Sequence, residues 1–165
     1  MDPRLISRQP KRSSTWGWKL TTTTSRLLLL DHSAWSRLIG NLVPEDREET
    51  ILDWIGEGRL GVCLPFLLEA GFSARTAEEH RLTMGRLGQL PQLLIDRDVE
   101  QTAKDAQREL VRSGHHRLSP TDLIIAACAA CADGGVLHYD RDYDLILEHT
   151  SLEFESVWLA EPGTL

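Results

Sequence analysis

The sequence predicts a three-layer α/β sandwich with a mainly parallel central sheet. Three observations carry that expectation. Apolar runs of three or four residues alternate along the chain with longer segments of helical period. Several of these runs are apolar at every position, as strands covered by helices on both faces must be. And 165 residues, 41% of them hydrophobic, suffice for one sizeable core rather than two. The elements follow in order. Residues 27–30, LLLL, form a candidate central strand, and DHSAWSRLIG after it reads as a helix start. Residues 44–57 open with a proline and acids that suit a helix N-terminus, and Ile51, Leu52 and Ile55 give that helix an apolar face. Residues 61–64, GVCL, read as a short buried strand, and Pro65 starts a helix over FLLEAGFSAR. Residues 77–87 look helical, and LLID at 93–96 is a third strand candidate. DVEQTAKDAQRELVRSG at 98–114 is the clearest amphipathic helix, with an acidic start and a glycine stop. SPTDLIIAACAACADGG at 119–135 reads as a buried helix capped by Ser119, with Pro120 in its first turn. VLH is a fourth strand, DYDLILEH a helix, and LEFESV at 152–157 a last strand.

The charge is unevenly spread. Arg4, Arg8, Lys11, Arg12, Lys19 and Arg26 stand against Asp2 alone, so residues 1–26 carry +5 and the rest −12 of the total −7. A domain that acidic is no general nucleic-acid binder by bulk electrostatics; to handle a polyanion it needs a local basic patch or bound metal ions. Residues 1–26, rich in Ser, Thr, Arg and Lys and without helical period, read as a disordered basic leader, with Trp16 and Trp18 as a candidate partner contact. The domain is expected over 27–160, with 161–165 as a short tail. Cys63, Cys128 and Cys131 read as small core residues, since CAAC has no second pair to complete a zinc site or a disulfide framework. The longest apolar stretch, about ten residues, is too short to span a membrane, and a cytoplasmic location is expected.

The acids fall where chemistry is done. In open parallel sheets, sites form just beyond the carboxyl ends of the strands. Asp31 directly follows LLLL, and Asp140 follows VLH by two residues. Glu69 shares a helical ridge with Pro65, Phe66, Phe72 and Ser73, where a lone glutamate needs either a cation or water. Asp122 is the third residue of a buried helix; it either complements the helix dipole or reaches the rim of the core. Asp140, Asp142 and Asp144 crowd the stretch LHYDRDYD, as a solvated turn or as a set held by a cation. Four separate elements thus deliver one acid each, and no lysine follows Lys104. Such a set is a hard-cation site, and its usual use is phosphodiester hydrolysis. Ser33 is either a support for a ligand or phosphate or a helix N-cap. Arg112, His115, His116 and Arg117, together with Arg141, either form a local phosphate patch or are a solvated helix end.

Four motifs taken together resemble the PIN-domain nucleases, most closely the VapC-type toxins of prokaryotic toxin–antitoxin pairs. They are LLLLDHS, LPFLLEAGFSAR, SPTDLIIAACA and LHYDRDYD, covering roughly residues 27–160. His138 stands where Thr is commoner, and the leader is a departure from these compact toxins. The resemblance implies a PIN-like three-layer α/β/α sandwich. It also implies a Mg²⁺-dependent endoribonuclease, with Mn²⁺ as a substitute, that cuts structured RNA such as tRNA or ribosomal RNA. Asp31, Glu69, Asp122 and Asp140 would be the catalytic acids and metal ligands, with Asp142 behind them or on a second cation; Asp140 is favoured over Asp142 as the nearer to its strand end. Ser33, Arg117 and Arg141 would meet the substrate. A cognate VapB-type antitoxin that inserts an arginine among the carboxylates, and a homodimer, are the implied partners.

Two other classes compete. Haloacid-dehalogenase-like phosphatases need Asp-x-Asp after the first strand, where this chain has Asp31 and Ser33, and both they and receiver domains need a functional lysine. A catalytically inactive PIN-like binding scaffold is the better alternative, and retention of all four acids argues against it.

Overall fold

The computed structural model describes residues 26–165. The expected leader, Arg26 excepted, and Trp16 and Trp18 with it, lie outside the described residues. Five strands, β1 (Leu28–Leu30), β2 (Leu60–Cys63), β3 (Gln92–Leu93), β4 (Gly135–His138) and β5 (Glu155–Trp158), form one sheet in the order β3-β2-β1-β4-β5. Every pairing is parallel. Seven helices flank it among the described residues: α1 (His32–Ile39), α2 (Glu45–Gly56), α3 (Leu64–Phe72), α4 (Ala77–Leu87), α5 (Arg97–Arg112), α6 (Pro120–Cys131) and α7 (Asp142–His149). The three-layer α/β/α sandwich with a parallel sheet is therefore the fold. No described helix is long and apolar enough to cross a membrane.

The sheet order decides where a site can form. From β1 the chain builds outward through β2 and β3, then returns to the other side of β1 for β4 and β5. The direction of winding reverses between β1 and β4, and a crevice opens beyond the carboxyl ends of those two strands. Leu28, Leu29 and Leu30 pair with Gly135, Val136 and Leu137, and the Asp31 amide extends the ladder to the Leu137 carbonyl at 3.0 Å. Leu28, Leu29, Leu30, Val136 and Leu137 are all buried. Their uniform apolarity follows from helices packing on both faces.

Local chemistry explains most helix starts. Thr76 and Asp96 cap α4 and α5 by accepting from backbone amides of the first turn, and α5 buries Val99, Ala103, Ala106 and Leu110 along one stripe. Ser119 caps α6, which buries Leu123 and Ile125 through Ala129.

Several details differ from the sequence expectation. The third strand is only Gln92–Leu93, not 93–96, because Asp96 is taken as the cap of α5. The last strand runs Glu155–Trp158 rather than 152–157. Leu152 and Phe154 reach the core before pairing begins. The helix carrying Glu69 starts at Leu64, ahead of Pro65. Cys63 and Cys128 are buried as expected, but Cys131 is exposed, since α6 turns its last residue past the core.

Candidate active site

Asp31 leaves β1 and is itself the N-cap of α1, a role the sequence left open for Ser33. Its carboxylate is 3% exposed and held on both oxygens. Oδ2 accepts the Ser33 amide at 2.8 Å and the Ser33 hydroxyl, and Oδ1 accepts the Tyr143 hydroxyl at 2.8 Å. Ser33 Oγ in turn accepts the Tyr139 amide at 2.9 Å, so one serine ties the end of β1 to the loop after β4. Donors on both oxygens offset the desolvation of a buried carboxylate.

Tyr143 went unassigned in the sequence beyond its place in the stretch LHYDRDYD. It is fully buried, and its hydroxyl is raised well above its ordinary pKa by burial and then by Asp31. Tyr143→Phe removes one charge-assisted donor from a buried carboxylate. It is expected to lower stability by about 1.5–3 kcal/mol. A urea midpoint identical to wild type would show that Asp31 does not need this bond.

The loop after β4, the start of α7 and the first turn of α6 supply the centre of the cluster. One carboxylate oxygen from each of Asp122, Asp140 and Asp142 lies within 4.8 Å of the others. The Asp142 amide donates to Asp140 Oδ1 at 3.0 Å, which folds the loop so that both side chains face Asp122. Asp122 sits at the third position of α6, its amide donating to the Ser119 cap at 3.4 Å. Asp144, third acid of the same stretch, turns away: its oxygens accept Ser156 Oγ at 2.7 Å and Trp158 Nε1 at 3.1 Å.

The electrostatics record the crowding. Burial first, and then Asp31, Asp140, Glu69 and Asp142, push the Asp122 carboxyl up to about 7. Burial and then Asp31 raise Glu69, while His32 and a hydrogen bond from Thr121 draw it back. Burial and Asp140 raise Asp142. Asp31 and Glu69 thus belong to the same electrostatic unit as the three clustered aspartates, although their oxygens stand outside the tight set. His138 at the end of β4 is lowered, mainly by burial.

A pH dependence follows. Between about 4 and about 7 the native chain holds a proton on Asp122 that the unfolded chain has released, so this group lowers stability as pH rises through that window. The unscreened limit is about 4 kcal/mol, and water in the cleft reduces it to about 1–2 kcal/mol. In EDTA, wild type is expected to lose that much relative to Asp122→Asn between pH 5 and pH 8, as read by urea denaturation. The comparison cancels His138, which acts in the opposite sense. A pH-independent difference would refute the coupling.

The remaining candidates lie at the margin. Arg117 and Arg141 are exposed, and no ion pair among the described residues engages them. Arg141 stands between Asp140 and Asp142, and Arg117 precedes the Ser119 cap. Of the basic stretch before α6, the His115 ring stacks on His149 at 3.8 Å. On α3, Phe66 is buried while Leu64, Leu68 and Phe72 are exposed, the last at 93%. Of the apolar ridge neighbours expected for Glu69, Phe66 is therefore core and Phe72 open surface.

A parallel sheet with acids gathered at the crevice between β1 and β4 defines the PIN class of α/β domain. The PIN domain profile matches residues 28–146. Ribonuclease VapC18 of Mycobacterium tuberculosis is 30% identical over 142 residues, covering 82% of this chain and 97% of the relative. Ribonuclease VapC21 of the same species is 38% identical over 110 residues, covering 65% and 78%. The chain belongs to the PIN domain family, among the VapC ribonucleases. Among solved structures, the DNA-bound VapBC of Salmonella typhimurium aligns with a TM-score of 0.63 at 18% identity, over 79% of this chain and 98% of that one. VapBC-5 of Mycobacterium tuberculosis, from a family of toxin–antitoxin systems, aligns at 0.57 and 21%, over 81% and 98%. At these identities the likeness establishes the shared fold.

Proposed function

We propose that this chain is a divalent-cation-dependent endoribonuclease toxin, acting in the cytoplasm on structured RNA such as tRNA or ribosomal RNA. The observation that carries the reading is the convergence of Asp122, Asp140 and Asp142 beside Asp31 and Glu69 at the β1–β4 crevice. The relatives described above are named ribonucleases. The donor set fits a hard cation: it is all carboxylate oxygen, and burial, with repulsion from the neighbouring acids behind it, holds a proton on Asp122 that a cation would replace. Mg²⁺ is the expected ion, with Mn²⁺ able to substitute. A bound cation supplies polarisation of the scissile phosphate and neutralises charge on the leaving oxygen.

The chain's own residues do the rest. Asp122, Asp140 and Asp142 bind the cation. Asp31, fixed by Tyr143 and Ser33, and Glu69, at the edge of the cleft, complete the acidic wall. Ser33 acts on the substrate side by fixing the loop through the Tyr139 amide. Arg117 and Arg141 contact RNA phosphates and draw a polyanion to an otherwise acidic domain.

A VapB-type antitoxin is the expected inhibitor, placing an arginine among the carboxylates, where a guanidinium satisfies several oxygens at once. Leu64, Leu68 and Phe72 form an exposed apolar ridge along α3, and such a ridge supports association as a homodimer.

The test is incubation of purified, antitoxin-free protein with total tRNA and rRNA in Mg²⁺, in Mn²⁺ and in EDTA, beside Asp31→Asn. Discrete fragments that vanish with EDTA and with the substitution are the expected result. Cutting that survives both would belong to a contaminant. A folded protein that cuts neither RNA class would favour the inactive scaffold.

A further inference from the structure

Behind the carboxylate cluster runs a line of hydrogen bonds that none of the roles above uses. The Asp140 amide donates to His138 Nδ1 at 3.2 Å, and His138 Nε2 lies 2.8 Å from Ser156 Oγ. Ser156 Oγ donates to Asp144 Oδ1 at 2.7 Å, and Trp158 Nε1 secures Asp144 Oδ2 at 3.1 Å. Each link has one permitted direction. An amide only donates, so Nδ1 carries no proton; the single proton of a neutral imidazole then sits on Nε2 and points to Ser156. The serine's own proton goes to a carboxylate that only accepts. Every donor points the same way, from Asp140 to Asp144, and head-to-tail chains of this kind strengthen each link. His138 is fully buried, so water cannot take over a broken link.

We propose that His138, Ser156 and Asp144 form a positioning array that holds the Asp140 carboxylate in the cation-binding cluster. The proposal rests on the cation-dependent reading above. None of the three meets cation or substrate. They act on the Asp140 amide, and Asp140 Oδ1 in turn accepts the Asp142 amide, so fixing one end of the loop fixes both carboxylates. The array draws one residue each from β4, β5 and α7. It converts the β4–β5 register, in which Val136 pairs with Ser156 and His138 with Trp158, into the placement of a loop. It also accounts for the division of labour in DRDYD: Asp144 has both oxygens engaged inside the fold, and Asp140 and Asp142 are left to the cluster.

Two substitutions of similar shape separate the links. His138→Asn keeps an acceptor near the Nδ1 position and loses the reach to Ser156. His138→Gln keeps that reach and loses the acceptor for Asp140. On the full chain at fixed pH, calorimetry should show Mn²⁺ affinity falling about 3-fold for His138→Asn, which keeps the contact to Asp140 but loses the anchor on Ser156 and Asp144. It should fall about 10-fold or more for His138→Gln, the scale seen when a ligand's support is removed. Ser156→Ala should broaden the ring from a single Nε2–H tautomer to a mixture in ¹⁵N NMR. A second readout needs no metal: the Asp140 amide should resist hydrogen exchange in wild type and His138→Asn and exchange freely in His138→Gln. If wild type binds no Mn²⁺, the cation reading fails and the array is judged by the Asp140 amide alone. Equal Mn²⁺ affinity and equal amide protection in the two His138 variants would overturn the array, as would an Nδ1–H tautomer in wild type.

Discussion

Asp122→Asn is expected to lower RNA cleavage about 10³-fold in Mg²⁺ or Mn²⁺, equivalent to about 4 kcal/mol of transition-state stabilisation. Asp122 is half-buried at the centre of the acids, and Asp31, Asp140, Glu69 and Asp142 all act on it. Asparagine keeps its size and its place at the start of α6 while removing the charge a hard cation requires. The same substitution should make the metal-free protein more stable at pH 8, because it removes the carboxylate whose ionisation the cleft resists. A loss of activity accompanied by a gain of stability is the signature of a functional site and not of a folding defect. Rates measured on the RNA that wild type cuts, beside urea curves in EDTA, read both effects together. Cleavage within about 5-fold of wild type would remove Asp122 from the reactive set.

Gly135→Ala is expected to destabilise the fold by about 3 kcal/mol, at the upper end of what overpacking costs. Gly135 is the first residue of β4, between β1 and β5, where it pairs with Leu28 on one side and Glu155 on the other. A Cβ there would stand 2.7 Å from the Glu155 carbonyl oxygen, 2.8 Å from the Glu155 Cβ and 2.8 Å from the Leu28 side chain. The Leu28 methyl can rotate away; the β5 backbone cannot without loosening the ladder. Because β4 leads into the loop that holds Asp140 and abuts β1, which leads into Asp31, the shift would also reach the cleft. Denaturant midpoints and Mn²⁺ affinity of the variant measure the two consequences. An alanine variant as stable as wild type would mean that the β4–β5 spacing is more compliant than the buried strands imply.

Much of this molecule is legible before folding is considered. Alternating apolar runs and helical segments specify the α/β class, since strands covered on both faces must be apolar throughout, as Leu28–Leu30 and Val136–Leu137 are. The Ser119 cap is local hydrogen-bond chemistry and was read as such, whereas Asp96 was read into the strand before α5 and instead caps that helix. The acids were visible as candidates because each lies at an element's end, where a carboxylate needs a reason to be.

What stayed hidden is what depends on partners distant in sequence. The order β3-β2-β1-β4-β5 sets Asp31 beside the Asp140 loop, and no local pattern encodes it. Tyr143 has no assigned role in the sequence, and gains one only when its hydroxyl meets Asp31, 112 positions away. Asp144 is indistinguishable in sequence from Asp140 and Asp142; only the β5 register, which brings Ser156 and Trp158 within reach, takes it out of the cluster. Cys131 was misplaced because helical rotation against the rest of the molecule, not composition, chooses which apolar residue is covered. By itself, then, the sequence determined the kinds of elements, their starts and the stock of carboxylates, because periodicity and capping act over a few residues. Tertiary structure alone decided which carboxylates meet and which are tied away, because side-chain proximity and desolvation are set by strand order and register across the whole sheet.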